Sequence, residues 1–588
     1  MLHSAHRYYN CWDRGTLLLH TNNDPDLQEL IGSKPANPAN DSFDISLVKG
    51  WIDTCCKTHR LCNRKRECWY PTRLLHIISS DQARLILSED HAPKGYYITL
   101  SHRWGNFQYT KLLTETLAQL QSVIAVSHLP PAFRDAIKVA TLLDIEYIWI
   151  DGLCIKQDPD DRSDWKVESL KMGKVYENAF LNISATLAVD GNEPLLPNQQ
   201  LSSFGLSEMT FSIDDTQDVF YLLDGDIWID EITSAPLNKR GWVFQERFLA
   251  KRVLHFSTRQ LGWECEEMTA LEMLPKGLPA ILGRPLAKKL IQSVLSKRAP
   301  DAPHSSIEEW LGTWHDIVNE YSKGSFTFPA DKLIAFAGIG PMISEHIGTE
   351  YISGMLLGSL TYDLAWWRWM EDRTRFPLID ACTRAPSWSW ASVDGEINFP
   401  VDGANLRNSR TFIKNIGIIR ERNDLLNNHS RLRVQGVCMP LRVTWSEGDI
   451  FEFSISELAA CRFTTEGESG ASSIDCDIPL EEMRDLERRG CILVLPLYST
   501  TLFFYSLLIH RKRGRGSHRR IGLVTIPVRV QTATEDMIDT GLTKAHLMQW
   551  RRDKKPKAED EPFNHWNRKA LGLMDHVESS MCRTIEIS

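Results

Sequence analysis

The stretches YYITLS (96–101) and LPPAFRDAIKVATLLDIEYIWIDGLCIKQDPDDRSDWKVESLKMGKVYENAFLNISAT (129–186) decide the fold of this chain. Three short apolar runs in them indicate buried strands: YYITLS, EYIWIDGLCI (146–155) and FLNISAT (180–186). The two segments between these runs carry apolar residues at helical spacing, and Pro130 and Pro131 suit the first turn of the first helix. The order strand, helix, strand, helix, strand predicts two right-handed βαβ crossovers in a parallel sheet flanked by helices.

Polar side chains follow the ends of two of these predicted strands. In open parallel sheets, ligands bind at the carboxyl ends of the strands, so we expect a binding site there. The candidate binding residues are Ser101, His102, Arg103, Trp104, Asp151 and Cys154. Ser101 and His102 are adjacent in a strand and point to opposite faces, so they are not expected to act as a nucleophile and its base.

Glu168 is the candidate catalytic residue. In the second predicted helix, Trp165, Met172 and Tyr176 lie on one buried face, and Glu168 lies at its shoulder. A carboxylate in that position is costly unless it is paired or used. Two interpretations stay open: a catalytic carboxylate, or a structural role as an ion pair with Arg103, Arg134 or Arg247 or as a side chain that snorkels to solvent.

The length of 588 residues predicts more than one domain. Four regions follow from the pattern: a loosely ordered leader (1–43), an α/β domain (44–270), a helical extension ending in PSWSWAS (271–400), and a β-rich region with a charged tail (401–588). In the extension, Trp310, Trp314, Ile317 and Tyr321 share one helical face.

Composition excludes some classes of protein. The net charge of −9 argues against a surface that coats nucleic acid, although RKRGRGSHRR (511–520) is a basic segment that could contact nucleic acid or an anionic membrane. No apolar run is long enough for a membrane span. Thirteen scattered cysteines and the absence of an apolar leader predict a reduced, cytoplasmic protein.

A cluster of cysteines near the N-terminus raises the question of a metal. Cys55, His59, Cys62 and Cys68 have the spacing C-x3-H-x2-C-x5-C, which is not a familiar structural zinc pattern. We therefore expect buried or free thiols and no metal site. The chain contains no P-loop and no G-x-G-x-x-G motif, so the standard nucleotide cradles are absent.

At this point the chain resembles a known family. The blocks YITLSHRWG (97–105), 129–186 and PLNKRGWVFQERFLAKRVLHF (236–256), followed by WEC (263–265), occur in the order found in the fungal heterokaryon incompatibility (HET) domain. The resemblance implies a TIR-like α/β fold and a role in fungal non-self recognition and programmed cell death. It also implies incompatibility or signalling proteins as partners, or self-association. The acidic net charge and the absence of a nucleic-acid motif argue against nucleic acid as a partner, and the sequence points to no cofactor, with NAD considered only as a substrate.

The resemblance also suggests an activity, by analogy. Some TIR domains cleave NAD with a glutamate on the helix after a strand-end loop, and Glu168 occupies the comparable place here. NAD is then a candidate substrate, and a non-catalytic assembly module is the alternative. The chain departs from the usual family pattern at the expected site, with His102-Arg103 in place of Tyr-Cys and Gly152 in place of Ser.

Overall fold

The computed structural model describes most of the chain. The described residues are 10–11, 16–20, 45–64, 69–105, 109–188, 190–195, 207–213, 216–257, 260–279, 286–296, 307–369, 384–400, 409–420, 430–445, 451–455, 458–462, 473–478, 480–500, 503–511, 517–527 and 582–588. The chain divides into two compact units. The first comprises Met1–Pro303, Lys323–Thr327 and Ile334–Ile343, and the second comprises His304–Ser322, Phe328–Leu333 and Ser344–Ser588.

A nine-stranded sheet forms the centre of the first unit. Its strands are β1 (Arg73–Ile77), β2 (Gln82–Leu87), β3 (Tyr97–Ser101), β4 (Ile124–Ala125), β5 (Tyr147–Trp149), β6 (Leu181–Ser184), β7 (Arg252–Phe256), β8 (Leu261–Cys265) and β9 (Thr269–Leu271). They lie in the order β9-β8-β7-β6-β3-β5-β1-β2-β4. The sheet is mixed, because β5, β3, β6 and β7 are parallel while the outer strands pair antiparallel.

The central strands explain why the sequence forms this sheet. Every residue of β3, β6 and β7 is buried, as expected for strands covered by helices on both faces. The three predicted strands and their crossover order are confirmed, and β7 adds a fourth parallel strand. The predicted second strand is shorter than expected. β5 ends at Trp149, and Asp151–Cys154 forms a helical turn.

The helices of this unit include Ile45–Thr58, Pro131–Leu142, Ser163–Asn178 and Gly241–Leu249. Pro131 stands in the first turn of its helix, where proline costs no hydrogen bond. Met172 and Tyr176 are buried as predicted, whereas Trp165 is only half-buried, edge-on to Trp242. Further α-helices among the described residues of the unit are Ser88–His91, Leu117–Ser122, Asp151–Cys154 and Leu286–Ser296.

A separate four-stranded sheet also belongs to the first unit. It orders the strands Asn10–Cys11, Thr16–His20, Thr216–Asp224 and Ser207–Ile213. All its pairs are antiparallel, and Thr16–His20 pairs with Thr216–Asp224. Part of the predicted leader is therefore a strand, while most of it lies outside the described residues.

The second unit begins with the helix Ile307–Ser322, and Trp310, Trp314, Ile317 and Tyr321 are all buried in it as predicted. The helix Gly340–Ile347 is shared, because its residues up to Ile343 belong to the first unit and those from Ser344 belong to the second. The helices Leu360–Asp363 and Leu480–Arg488 belong to the second unit. An eleven-stranded sheet confirms the β-rich C-terminal region. Its strands are Arg410–Thr411, Asn415–Ile419, Arg431–Val437, Met439–Trp445, Phe451–Ile455, Leu458–Arg462, Ser473–Cys476, Ile492–Ser499, Phe503–Arg511, Ser517–Pro527 and Cys582–Ile587.

Two sequence-based expectations concern partners. Among the described residues, none of the helices has the length and apolar character needed to cross a bilayer. The basic segment 511–520 joins the strands Phe503–Arg511 and Ser517–Pro527, and its residues 512–516 lie outside the described residues.

Candidate functional site

Asp151 lies where the chain leaves β5 and turns into a helix, and it holds two of the predicted site residues. Trp104 Nε1 donates a hydrogen bond of 2.7 Å to Asp151 Oδ2, and the backbone N–H of Gly152 donates one of 2.7 Å to Oδ1. His102 Nδ1 lies 3.7 Å from the same Oδ1. The carboxyl ends of β3 and β5 therefore bring Asp151, His102 and Trp104 together, as the strand order predicted.

Ser101 points into a second polar group that the sequence did not reveal. Its hydroxyl lies 3.0 Å from Asn182 Nδ2, on the neighbouring strand β6, and 3.2 Å from Asn182 Oδ1. Ser101 and Tyr176 also interact with the carboxyl group of Glu246, on the helix Gly241–Leu249. All four side chains are buried. Such a group of interacting polar side chains in the interior is a candidate functional site.

The carboxyl group of Glu246 has an unusual environment. Burial raises its pKa to about 7, against the opposing effects of the hydrogen bond with Ser101 and the positive charge of Arg240. Glu246 Oε2 is buried and has no hydrogen-bond partner within the described part of the chain. A carboxyl group that is half-ionised near pH 7 and has an unused oxygen can accept or donate a proton.

Arg240 joins the two polar groups. One of its guanidinium nitrogens donates a hydrogen bond of 2.5 Å to the backbone carbonyl of His102. Burial lowers the pKa of His102, although the nearby Asp151 charge opposes that effect, so the ring is neutral at pH 7. The ring stands edge-on to Phe133, with 4.8 Å between ring centroids. Arg240 therefore supplies positive charge near Glu246.

The helix Gly241–Leu249 is fixed by a buried ion pair. Arg247, next to Glu246, donates hydrogen bonds of 2.6 and 2.8 Å to the two carboxylate oxygens of Glu264 on β8. Burial alone would raise the pKa of Glu264, but the charge and hydrogen bonds of Arg247 hold it well below its usual range. Such a bidentate pair is strong and directional, so it sets the position of Glu246 along the sheet.

Two of the predicted binding residues do not join this site through hydrogen bonds. Arg103 is half-buried, and its side chain makes no hydrogen bond with any described residue. Cys154 is buried, and desolvation raises the pKa of its thiol to about 12. A thiol in that state is a poor nucleophile and a poor ligand. The backbone carbonyl of Cys154 instead accepts a hydrogen bond of 3.1 Å from Arg73.

Glu168 is buried, as expected from its place beside the apolar face of its helix, and it forms an ion pair with Lys171. Thr72 Oγ1 donates a hydrogen bond of 2.8 Å to Glu168 Oε1, and Lys171 Nζ donates one of 2.9 Å to the same oxygen. The cation that pairs with Glu168 is thus a lysine of its own helix, whereas Arg247 pairs with Glu264. Whether Glu168 also takes part in chemistry stays a prediction.

An open groove of about 750 Å³ begins at Tyr109. Among its lining residues are the cationic Lys111 and Arg134. Tyr109 also bears on Gly152, which stands where the family pattern has Ser. A Cβ at Gly152 would lie 2.5 Å from the Tyr109 hydroxyl, so a side chain there would clash with Tyr109. Within the described residues, the groove lining includes neither Asp151 nor Glu246. Tyr109 lines the groove and also packs edge-on to Trp104, with 6.4 Å between ring centroids.

Glu246, Arg240, Tyr176 and Asn182 are the site residues that sequence reasoning missed. One indication was present in GWVFQERFL (241–249), where three consecutive polar residues stand between apolar ones. Apolar residues flank this polar triplet on both sides, which indicates that most of the helix is buried. At least one of the three polar side chains is then expected to face the interior. The block 236–256, which resembles the HET domain, contains this helix. The position of Glu246 beside Ser101, however, follows only from the fold.

Comparison with known proteins finds a match in the part of the chain that contains this site. Residues 97–246 match the family model described as "Heterokaryon incompatibility protein (HET)". Searches of curated proteins and of solved structures found no match. The matched segment begins at β3, contains Asp151 and ends at Glu246, so it covers the residues that meet at the buried polar site. Residues 97–246 therefore match a heterokaryon incompatibility domain, and this match supports a HET-domain protein.

Proposed function

We propose that this chain is an effector of fungal heterokaryon incompatibility, which acts in the cytoplasm of fused cells and leads to their programmed death. We further propose that its HET domain cleaves NAD or a related nucleotide. The observation that carries this proposal is Glu246, a buried carboxyl group whose pKa is raised to about 7 beside Ser101, Tyr176 and Arg240. Groups with perturbed pKa values that converge at one sheet edge are characteristic of active sites.

The proposed reaction is hydrolysis of the bond between nicotinamide and ribose C1′. That bond breaks, its electron pair leaves with nicotinamide, water adds to C1′, and one proton is released. The ionised Glu246 stabilises the positive charge that develops on the ribose, or removes the proton from the attacking water. Arg240, Lys111 and Arg134 supply positive charge for the phosphates.

A non-catalytic assembly module is the second candidate. The observation in its favour is that the polar groups are closed off, because Ser101 is 1% exposed, Glu246 is 6% exposed, and the Tyr109 hydroxyl lies against Gly152. In this case the domain would recruit other incompatibility proteins or a second copy of itself, and Glu246 would serve only the fold.

Release of nicotinamide from NAD by the purified full-length chain tests the proposal. We expect activity in the wild type and a loss of roughly 100-fold or more in Glu246→Gln, the lower end of what a catalytic acid or base contributes. Glu115→Gln changes an exposed glutamate and is the matched control, with full activity expected. Each variant is first shown to be folded by its melting curve.

The same assay separates the alternatives. If Glu168→Gln, folded and stable, loses the activity while Glu246→Gln keeps it, the catalytic carboxylate is Glu168. If the wild type releases no nicotinamide from NAD or from related dinucleotides, and Glu246→Gln still kills cells, the catalytic proposal is wrong. The assembly role then stands.

A further inference from the structure

Four side chains that could bind a metal meet in the first unit. The sulfur atoms of Cys55, Cys62 and Cys265 and a ring nitrogen of His59 all lie within 4.8 Å of one another. His59 Nδ1 lies 3.2 Å from Cys265 Sγ and 3.9 Å from Cys62 Sγ. In a tetrahedral zinc site, bonds of about 2.1–2.3 Å place neighbouring ligand atoms about 3.5–3.8 Å apart. The observed spacing therefore fits one ion at the centre.

The fold builds this cluster from two distant parts of the sequence. Cys55 lies in the last turns of the helix Ile45–Thr58, and His59 follows one turn later, while Cys62 lies in the loop beyond. The Asn63 side chain holds that loop by donating hydrogen bonds to the carbonyls of Cys55 (2.8 Å) and His59 (2.7 Å). Cys265 is the last residue of β8.

The surroundings of the sulfur atoms suit thiolates. Arg252 Nε donates a hydrogen bond of 3.1 Å to Cys55 Sγ, and the backbone N–H of Met268 donates one of 3.2 Å to Cys265 Sγ. Arg252 also reaches Asn63 Oδ1 at 3.2 Å, so the second layer of contacts is connected. Three thiolates around a divalent cation leave one net negative charge, which the guanidinium of Arg252 balances. Partners of this kind orient the ligands of metal sites.

We propose that Cys55, His59, Cys62 and Cys265 bind one structural zinc ion. Three sulfurs and one imidazole nitrogen make up a frequent structural zinc set, and four protein ligands leave no position open for a substrate. The ion joins the helix Ile45–Thr58 to the end of β8, where Trp51 also stacks on Trp263 with 5.9 Å between ring centroids. The zinc ties this helix to the end of β8, the second strand from the edge of the sheet.

The proposal departs from the sequence-based expectation of no metal for a physical reason. The sequence offered Cys68 as the fourth candidate ligand, and the spacing of that set matched no familiar zinc pattern. Cys68 lies outside the described residues. Cys265 completes the set instead, from a strand about two hundred residues further along the chain. Spacing along a sequence cannot reveal a ligand that only the sheet brings near.

Measuring metal in the purified full-length chain, prepared without metal resin, tests the proposal. We expect about one zinc ion per chain. Cys265→Ser and Cys62→Ser should each lose most of the zinc. Cys56→Ser is the matched control, because Cys56 is exposed and adjacent to Cys55 yet not part of the cluster, and it should keep the zinc.

A second measurement covers variants that fail to fold. Titrating the folded wild type with a thiol-blocking mercurial should release the zinc in proportion to the thiols blocked. Growth with cobalt should give the visible absorption of tetrahedral cobalt and the near-ultraviolet bands of cobalt–thiolate bonds. A folded wild type with neither zinc nor cobalt would overturn the proposal. So would full zinc content in Cys265→Ser, or a disulfide between any two of the three cysteines.

Discussion

Glu246 and Glu168 are both buried glutamates of the HET domain, and their neighbours give them different properties. Glu168 accepts hydrogen bonds from Lys171 and Thr72, so its charge is compensated by a lysine on the same helix. Glu246 has a hydroxyl and a phenol as its neighbours, and burial raises its pKa. A compensated carboxylate stabilises a fold, whereas a desolvated one with a raised pKa can transfer protons at neutral pH.

The raised pKa of Glu246 predicts a pH-dependent stability. The folded state binds this proton more tightly than the unfolded chain does, so its stabilising effect is complete below the ordinary value of 4.5 and is lost as pH rises through about 7. Glu246→Gln removes the titration. Between pH 5 and 8, the unfolding free energy of the wild type should fall by about 2–3 kcal/mol relative to that of Glu246→Gln.

Denaturant unfolding of both proteins at the two pH values measures this change, and taking the difference cancels the other titrating groups. Glu115→Gln, which alters an exposed glutamate, should follow the wild type at both values. A gap between wild type and Glu246→Gln that stays constant from pH 5 to 8 would show that Glu246 is ionised throughout, and it would remove the basis for acid–base chemistry there.

Among single residues, the sequence predicted the polar group around Asp151 but not the one around Glu246. Ser101, His102, Trp104 and Asp151 follow the ends of parallel strands, and strand order is enough to bring them to one edge. Glu246 could not be placed in the same way. It lies on a helix beyond a long insertion, and its approach to Ser101 depends on how that helix packs against the sheet.

At the scale of elements, the helices Ser163–Asn178 and Gly241–Leu249 meet at a point that has no room for a side chain. A Cβ at Gly173 would lie 2.7 Å from the backbone of Gly338 and 3.3 Å from Leu249 Cδ1. Gln245 bridges the same place, since its Oε1 accepts a hydrogen bond of 2.7 Å from the Gly338 N–H. The close approach therefore positions the helix that carries Glu246.

Gly173→Ala should destabilise the first unit by about 1–3 kcal/mol, the usual cost of overpacking, because the nearest obstacle is backbone rather than a mobile side chain. Gly50→Ala is the control. Gly50 lies in the helix Ile45–Thr58 with nothing within 4 Å of an added Cβ, so alanine should be neutral or stabilise by about 0.5–1 kcal/mol. Melting curves of both variants measure this, and equal melting temperatures would mean that the helices are not in such close contact.

Elements were predicted best where their periodicity was long. The helices Pro131–Leu142 and Ser163–Asn178 agree with the sequence-based prediction within a few residues. The strand 146–155 was predicted too long, because its apolar run continues through the buried turn Asp151–Cys154. Apolar character alone does not distinguish a buried strand from a buried helical turn.

At the scale of the whole molecule, the first unit is not continuous in sequence. Besides Met1–Pro303 it includes Lys323–Thr327 and Ile334–Ile343, and both segments contact the helix Gly241–Leu249. Ser325 accepts a hydrogen bond of 2.9 Å from the Gly241 N–H. A Cβ at Gly241 would lie 1.9 Å from Phe326 Cζ, so the Phe326 ring rests directly on that glycine. No local pattern in the sequence announces such contacts.

These contacts lead to a prediction about truncation. The α/β domain predicted from the sequence, residues 44–270, contains every candidate site residue, and a chain of residues 1–303 keeps them all. It lacks Ser325 and Phe326, which contact Gly241 at the start of the helix that carries Glu246, and Gly338, which contacts Gln245 in the middle of that helix. We therefore expect the 1–303 chain to be less toxic in a fungal host than the full-length chain, at equal soluble amounts.

Two point variants of the full-length chain separate this effect from misfolding of a fragment. Phe326→Ala removes the ring that rests on Gly241 and should lower both the melting temperature and the toxicity. Phe328→Ala changes a phenylalanine that is 57% exposed and lies two residues further on, so it should leave both unchanged. A Phe326→Ala chain as stable and toxic as the wild type, together with a fully toxic 1–303 chain, would show that the first 303 residues position Glu246 without help from the later segments.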